Sequence, residues 1–261
     1  MNRGRKIWDV LYPFVSFLML MILATVIVLI LSVLVPAESG FWYMFLKASP
    51  LLINIIYYLW SLIYQRKQFR MDENRFGADA MSVSPAVLAA SLLFTVSAGE
   101  LISFLIYQSP IPDLFPAYDQ AASVSFQGQN IVLLIIVTVV LAPLAEEEIF
   151  RGMTYRRARN YLGVNRAVVL SALLFGLYHM NMVQFLFATV LGLMLAALYE
   201  RTRTLIVPVV CHAAVNAAQL VSARIPSSAL SVIPHYRLWF CLAGIGIVAL
   251  SGLALFRMKD N

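Results

Sequence analysis

The sequence predicts an all-α fold: a polytopic transmembrane bundle of about eight transmembrane helices, with N-terminus and C-terminus both inside. Three observations carry that reading. The 261 residues are 61% hydrophobic and only 12% charged, whereas a soluble domain carries about 25% charged residues. The apolar residues gather into eight stretches, most of them near the roughly 20 residues that cross a bilayer as a helix. Finally, 16 of the 19 Lys and Arg residues fall on one side of the spans those stretches define. That asymmetry satisfies the positive-inside rule for an even number of spans.

The first segment, 13–35, follows Arg3, Arg5 and Lys6 and ends at Val35-Pro36-Ala37, which resembles a signal-peptide cleavage site. Its apolar run of about 22 residues exceeds the 7–15 residues of a signal-peptide core, so a retained span is expected. Segments two and three, 42–64 and 83–107, flank the inner cations Arg66, Lys67, Arg70 and Arg75. Lys47 and Glu100 sit toward their outer halves and are expected to pair, because a lone charge in lipid is costly. The stretch 109–129, with Pro110, Pro112 and Pro116 and no Lys or Arg, reads as an extracytoplasmic loop.

Segment four, 130–155, runs into Arg156, Arg157 and Arg159. Segments five and six, 165–180 and 182–199, are short. Segment seven, 204–222, follows Arg201 and Arg203, and segment eight, 237–256, ends at Arg257 and Lys259. No internal repeat or soluble domain interrupts the series, so 1–261 reads as one integral-membrane domain. The net charge of +6 sits in short loops, as topology signals do, and gives no reason to expect a nucleic-acid partner. Cys211 and Cys241 lie in apolar segments and form no disulfide framework or Cys-based metal motif.

Polar clusters interrupt the apolar segments only between 130 and 222. In Ala145-Glu146-Glu147-Glu148-Ile149-Phe150-Arg151, Glu147 and Arg151 are four residues apart and share a helix face. Glu146 is turned about 100° away and can face a different surface, where a carboxylate without a cation suits a general base. Glu148 points elsewhere again, toward a helix contact or a polar rim. Ser171, Phe175 and His179 form one face of segment five, and His212 and Asn216 one face of segment seven.

Such residues can be bland. Charge runs end as solvated helix tips, a lone His is often a structural hydrogen bonder, and polar stripes can merely join membrane helices. Depth argues otherwise. Along continuous helices, Glu146, His179, His212 and Asn216 lie about 14–21 Å from the inner boundary of a core about 30 Å thick. A carboxylate, two imidazoles and a carboxamide at one level suit amide hydrolysis in either of two arrangements. Glu146 and His179 can activate water while His212 and Asn216 donate to the oxyanion. Alternatively Glu146, His179 and His212 can hold a divalent metal such as zinc.

Glu146-Glu147-x-x-x-Arg151, Phe175-x-x-x-His179 and His212-x-x-x-Asn216 resemble the motifs of the CAAX prenyl protease and bacteriocin-processing family, also called CPBP or Abi. Phe150-Arg151-Gly152, and the stretch from Phe187 through Gly192 to Glu200-Arg201-Thr202, are similar to it too. The resemblance covers about 130–222, the expected catalytic core; the rest matches only in being hydrophobic. It implies a helical membrane bundle in the cell membrane, with a site open toward the cytoplasmic side. It also implies an endoprotease acting on a membrane-associated protein or peptide. Glu146 and His179 would act on water, His212 and Asn216 on the oxyanion, with Glu147, Arg151 and Phe175 in support. The family carries the label metalloprotease, although a metal-independent glutamate mechanism is also argued for its eukaryotic members.

A third glutamate, Glu148, departs from the simple motif but leaves its register intact. No motif marks the substrate as prenylated, and the oligomeric state is not encoded in any motif. The alternative reading is a non-catalytic membrane regulator or immunity protein that binds a partner, as some family members are. A proton-coupled transporter would also bury Glu and His, but no inverted repeat supports it.

Overall fold

The computed structural model describes residues 2–34, 40–77, 79, 82–115, 129–225 and 235–258. Among them there are helices and connections and no strand. The helices are α1 (Arg3–Leu34), α2 (Gly40–Phe76), α3 (Pro85–Gln108), α4 (131–162), α5 (Val164–Tyr178), α6 (Met182–Thr202), α7 (Ile206–Ser222) and α8 (Tyr236–Arg257). A single helical turn, Ile111–Leu114, follows α3. Every expected segment falls on one of the eight. Gly4–Leu34, Pro85–Gln108, Met182–Thr202 and Arg237–Arg257 are each long and apolar enough to cross a bilayer. The chain is thus an integral multi-pass membrane protein with a helical bundle fold.

Two compact units divide the chain, 1–77 with 117–167 and 78–116 with 168–261. In the first, α1 packs on α2 and both pack on α4. Phe17 sits edge-on to Tyr57 (5.5 Å between ring centroids) and to Phe150 (6.2 Å). Asn130 caps α4, its side chain accepting from the Val132 and Leu133 amides.

Helix α4 is not a uniform α-helix. Ile135–Leu141 and Glu148–Tyr155 are wound as π-helix, on either side of the α-helical turns Ala142–Glu147. Pro143 has no N–H to give to the helix, and the amide just before it, that of Ala142, reaches five residues back to the Val137 carbonyl. The wider π turns advance less per residue than an α-helix. The depth of Glu146 read along a continuous α-helix is therefore an upper bound.

α1 and α2 also extend past their apolar windows, to Arg3 and to Phe76. A polar network explains the extension. Arg157 donates to Asp72 (2.6 Å) and to the Asp9 carbonyl (2.9 Å). Arg75 pairs with Asp9 (2.8 Å), and the Tyr161 hydroxyl donates to the same carboxylate (2.6 Å). Arg156 donates to the Gly77 carbonyl. Burial pushes the Asp72 carboxyl above its ordinary range, and Arg157 pulls it part of the way back. Arg156 and Arg157, which the sequence offers as loop cations, are buried side chains that join α4 to α1 and α2.

In the second unit α3 packs against α6, α7 and α8. Leu191, Leu195, Val207, Cys211 and Val215 form its apolar core. Cys211 behaves there as the small buried residue the sequence suggests. Asp79 ties the α6–α7 connection, accepting from the Tyr199 hydroxyl (2.7 Å) and the Leu205 amide (3.1 Å). Helices α5 and α6 approach closely through glycine, as membrane helices do at small residues. A Cβ on Gly176 would lie 2.1 Å from Thr189 Oγ1 and 2.8 Å from the Phe185 carbonyl oxygen; one on Gly192 would lie 3.0 Å from the Ala172 Cα.

Gly176→Ala is therefore expected to force α5 and α6 apart, at about 1–3 kcal/mol. Thermal unfolding of the detergent-solubilised protein measures the loss, and an unchanged midpoint would contradict the close approach.

Candidate active site

Each unit carries part of the predicted constellation. In the first, Glu147 and Arg151 lie four residues apart and join through a 2.8 Å ion pair, both side chains 0% exposed. Glu146, on the adjacent face of the same helix, is 3% exposed. Its Oε1 accepts from the Tyr58 hydroxyl of α2 at 2.6 Å. Tyr58 is fixed in turn by Tyr57 (4.2 Å between centroids) and by Phe17 (6.3 Å). Of the two neighbouring carboxylates, Glu147 pairs with the guanidinium and Glu146 accepts from the phenol, while both act electrostatically on Arg151. Glu148 is also buried, in the electrostatic field of Arg66 and Glu73 of α2.

Tyr58 is a site residue that sequence reading missed. The signal was present: a tyrosine buried in an apolar helix needs a partner for its hydroxyl, and α2 offers adjacent Tyr57 and Tyr58.

In the second unit Phe175, almost fully buried, meets two imidazoles edge to face: His179 at 5.2 Å and His212 at 5.5 Å. α5 and α7 thus bring both histidines to one phenyl ring. His212 is buried, and Asn216 lies one turn further on the same helix. His179 departs from the sequence reading in one respect. It follows the end of α5 instead of extending its face, with its amide bonded to the Gly176 carbonyl (3.1 Å).

The reason lies in the helix end, which leaves carbonyls without intrahelical partners. His179 Nδ1 takes the Phe175 carbonyl at 2.8 Å. Met180 then turns with φ 52°, and the Asn181 side chain caps α6. A carbonyl only accepts, so a neutral His179 carries its proton on Nδ1 and keeps the Nε2 lone pair.

Glu100 accepts from Gln219 (2.9 Å) and Ser222 (2.8 Å) of α7. The expected partner, Lys47, has its side chain outside the described residues, as do Val35-Pro36-Ala37 and most of the loop after Phe115. Among the described residues no three His, Cys, Asp or Glu side chains form a metal-holding group.

Residues 128–218 match the Rce1-like family, described as type II CAAX prenyl endopeptidase Rce1-like. A second similarity is to a Bacillus subtilis (strain 168) protein named "Putative membrane peptidase YdiL". It is 32% identical over 88 residues, 34% of this chain and 36% of that protein. The chain thus aligns with only about a third of the length of this curated relative. No solved structure matches the chain. The matched segment contains all three clusters from which the CAAX-protease resemblance is read.

Arg151→Leu would strand the buried Glu147 carboxylate and is expected to cost about 3–5 kcal/mol. Removing both charges together, Glu147→Gln with Arg151→Met, should recover most of that loss. Unfolding midpoints of the wild type and the two variants check this; equal destabilisation of both would refute a stability controlled by the pair.

Proposed function

We propose that this chain is a CAAX-protease-like membrane endopeptidase that hydrolyses a peptide bond of a membrane-associated protein or peptide. Glu146 and His179 act on the attacking water, while His212 and Asn216 donate hydrogen bonds to the oxyanion of the tetrahedral intermediate. Glu147, Arg151 and Phe175 support them.

The observation that carries this reading is the bond from His179 Nδ1 to the Phe175 carbonyl. It selects the tautomer whose Nε2 can take a proton from water. Tyr58 donates to Oε1 of Glu146, which orients that carboxylate for the same task. In the reaction water loses a proton to this base pair and attacks the scissile carbonyl. Charge then develops on the carbonyl oxygen, where donors on His212 and Asn216 are worth most. The proton returns to the leaving amine as the carbon–nitrogen bond breaks. The match to the Rce1-like family over 128–218 supports peptide hydrolysis as the reaction.

Glu146→Gln and His179→Ala are expected to reduce cleavage by about 10²–10⁴-fold, and His212→Ala or Asn216→Ala by about 10²–10³-fold. Comparing membrane proteomes of cells carrying wild type and Glu146→Gln reveals the substrate as a protein that accumulates uncut. A Glu146→Gln variant that preserves both proteome and phenotype would favour the partner-binding regulator.

A further inference from the structure

Hydrolysis consumes one water per bond, and Glu146 is buried in a helix read as membrane-spanning, so water needs a route to it. The first unit contains a candidate. On α2, Tyr58, Ser61, Gln65, Gln68 and Asp72 recur at intervals of three and four residues, a single stripe about 21 Å long. On α4, Glu146, Arg151, Thr154 and Arg157 follow in the same direction. Two direct contacts bracket the interval: Tyr58 donates to Glu146 at one end, and Arg157 donates to Asp72 (2.6 Å) and Gln68 (3.2 Å) at the other.

Between these contacts α2 and α4 keep buried polar side chains where apolar ones would pack at less cost, alongside Phe150, which packs on Phe14 and Phe17 of α1. Ser61 is 1% exposed, and Gln65 and Thr154 are 0%. Gln65 Nε2 donates to Ser16 of α1 (2.6 Å). Its Oε1, the Ser61 hydroxyl and the Thr154 hydroxyl have no hydrogen-bond partner among the described residues. Three such atoms in one apolar bundle are costly, at about 1–3 kcal/mol each, and buried polar groups of this kind are the usual partners of internal water. The far end opens to solvent, since the Arg75 side chain that closes the network on Asp9 is 40% exposed.

We infer that the seam where α2 meets α1 and α4 is a continuous water path, lined by Ser61, Gln65 and Thr154, that leads from the Asp9–Arg75–Arg157 end of the bundle to Glu146. It supplies the hydrolytic water, and its purpose rests on the reading of Glu146 as the base. Tyr58 is its inner terminus and hands the path to the carboxylate.

The test needs no substrate. In a full-length background with Cys211→Ala and Cys241→Ala, single cysteines are placed at Ser61, Gln65 and Thr154, and at the buried apolar position Ala24 as a dry control. Membranes are exposed to silver ion, a probe of about the size of water, then denatured, and the remaining thiols are counted by a mass-tagged maleimide. The seam thiols are expected to be blocked at least about tenfold faster than Ala24→Cys, because thiolate forms only where water reaches. Seam thiols that stay as unreactive as Ala24→Cys overturn the path. Three positions keep the test decisive if one variant fails to fold, which gel filtration detects. Cleavage by Glu146→Gln is read separately. Loss of cleavage with unreactive seam thiols removes the path and leaves the mechanism. Full cleavage with reactive thiols leaves the path and removes the catalytic reading.

Discussion

A guanidinium that is wholly buried in a membrane helix must be neutralised where it stands, and the Glu147–Arg151 pair does this within α4 itself. The rest of the first unit depends on that local solution. Glu147 pairs with Arg151 four residues on, and the adjacent Glu146, whose charge also acts on Arg151, has a second polar partner. It is turned onto another face, where Tyr58 meets it. Two like residues in succession thus take different roles because a helix turns them to different surroundings. A π-helical segment begins directly after them at Glu148, and such segments recur at functional sites.

The second unit solves a related problem by shape more than by charge. Gly176 and Gly192 let α5 and α6 touch, and the short α5 ends where Phe175 can meet both imidazoles. The helix end then contributes directly. Its exposed carbonyl at Phe175 fixes the His179 tautomer, a role that a mid-helix carbonyl, already bonded to the fourth residue on, fills less readily. A histidine just past a helix end is better placed for chemistry than one within it.

These two solutions were legible in the sequence to different degrees. Apolar runs located every long helix, because in lipid the backbone must satisfy itself and a helix is the simplest way. The four-residue spacing of Glu147 and Arg151 was enough to foresee their pair, since that contact is local. What stayed hidden was non-local or depended on backbone detail. Tyr58 lies 88 residues from Glu146, and no spacing rule links them. The arginines in the last turns of α4 read as topology signals because composition cannot tell a loop cation from one clasped by Asp72. Glu100 read as half of an ion pair with Lys47, whose side chain lies outside the described residues, and no spacing rule announced the neutral donors Gln219 and Ser222 that meet it from α7. The π turns left no mark beyond Pro143.

The family resemblance and the family match both cover the middle of the chain, while partners of the motif residues come from outside it. Residues 128–218 bring Glu146, His179, His212 and Asn216. The phenol on Glu146 and the carboxylates around Arg157 come from α1 and α2. The helix that carries His212 and Asn216 is held by α3, where Gly99 leaves room for Val215 and Glu100 takes Gln219. The motif segment therefore specifies which groups are present, and the N-terminal helices specify what each group touches. A buried acid is defined by its neighbours as much as by its identity. Chains that share the motifs but differ in their first hundred residues can thus share a reaction type while differing in how water and substrate reach it.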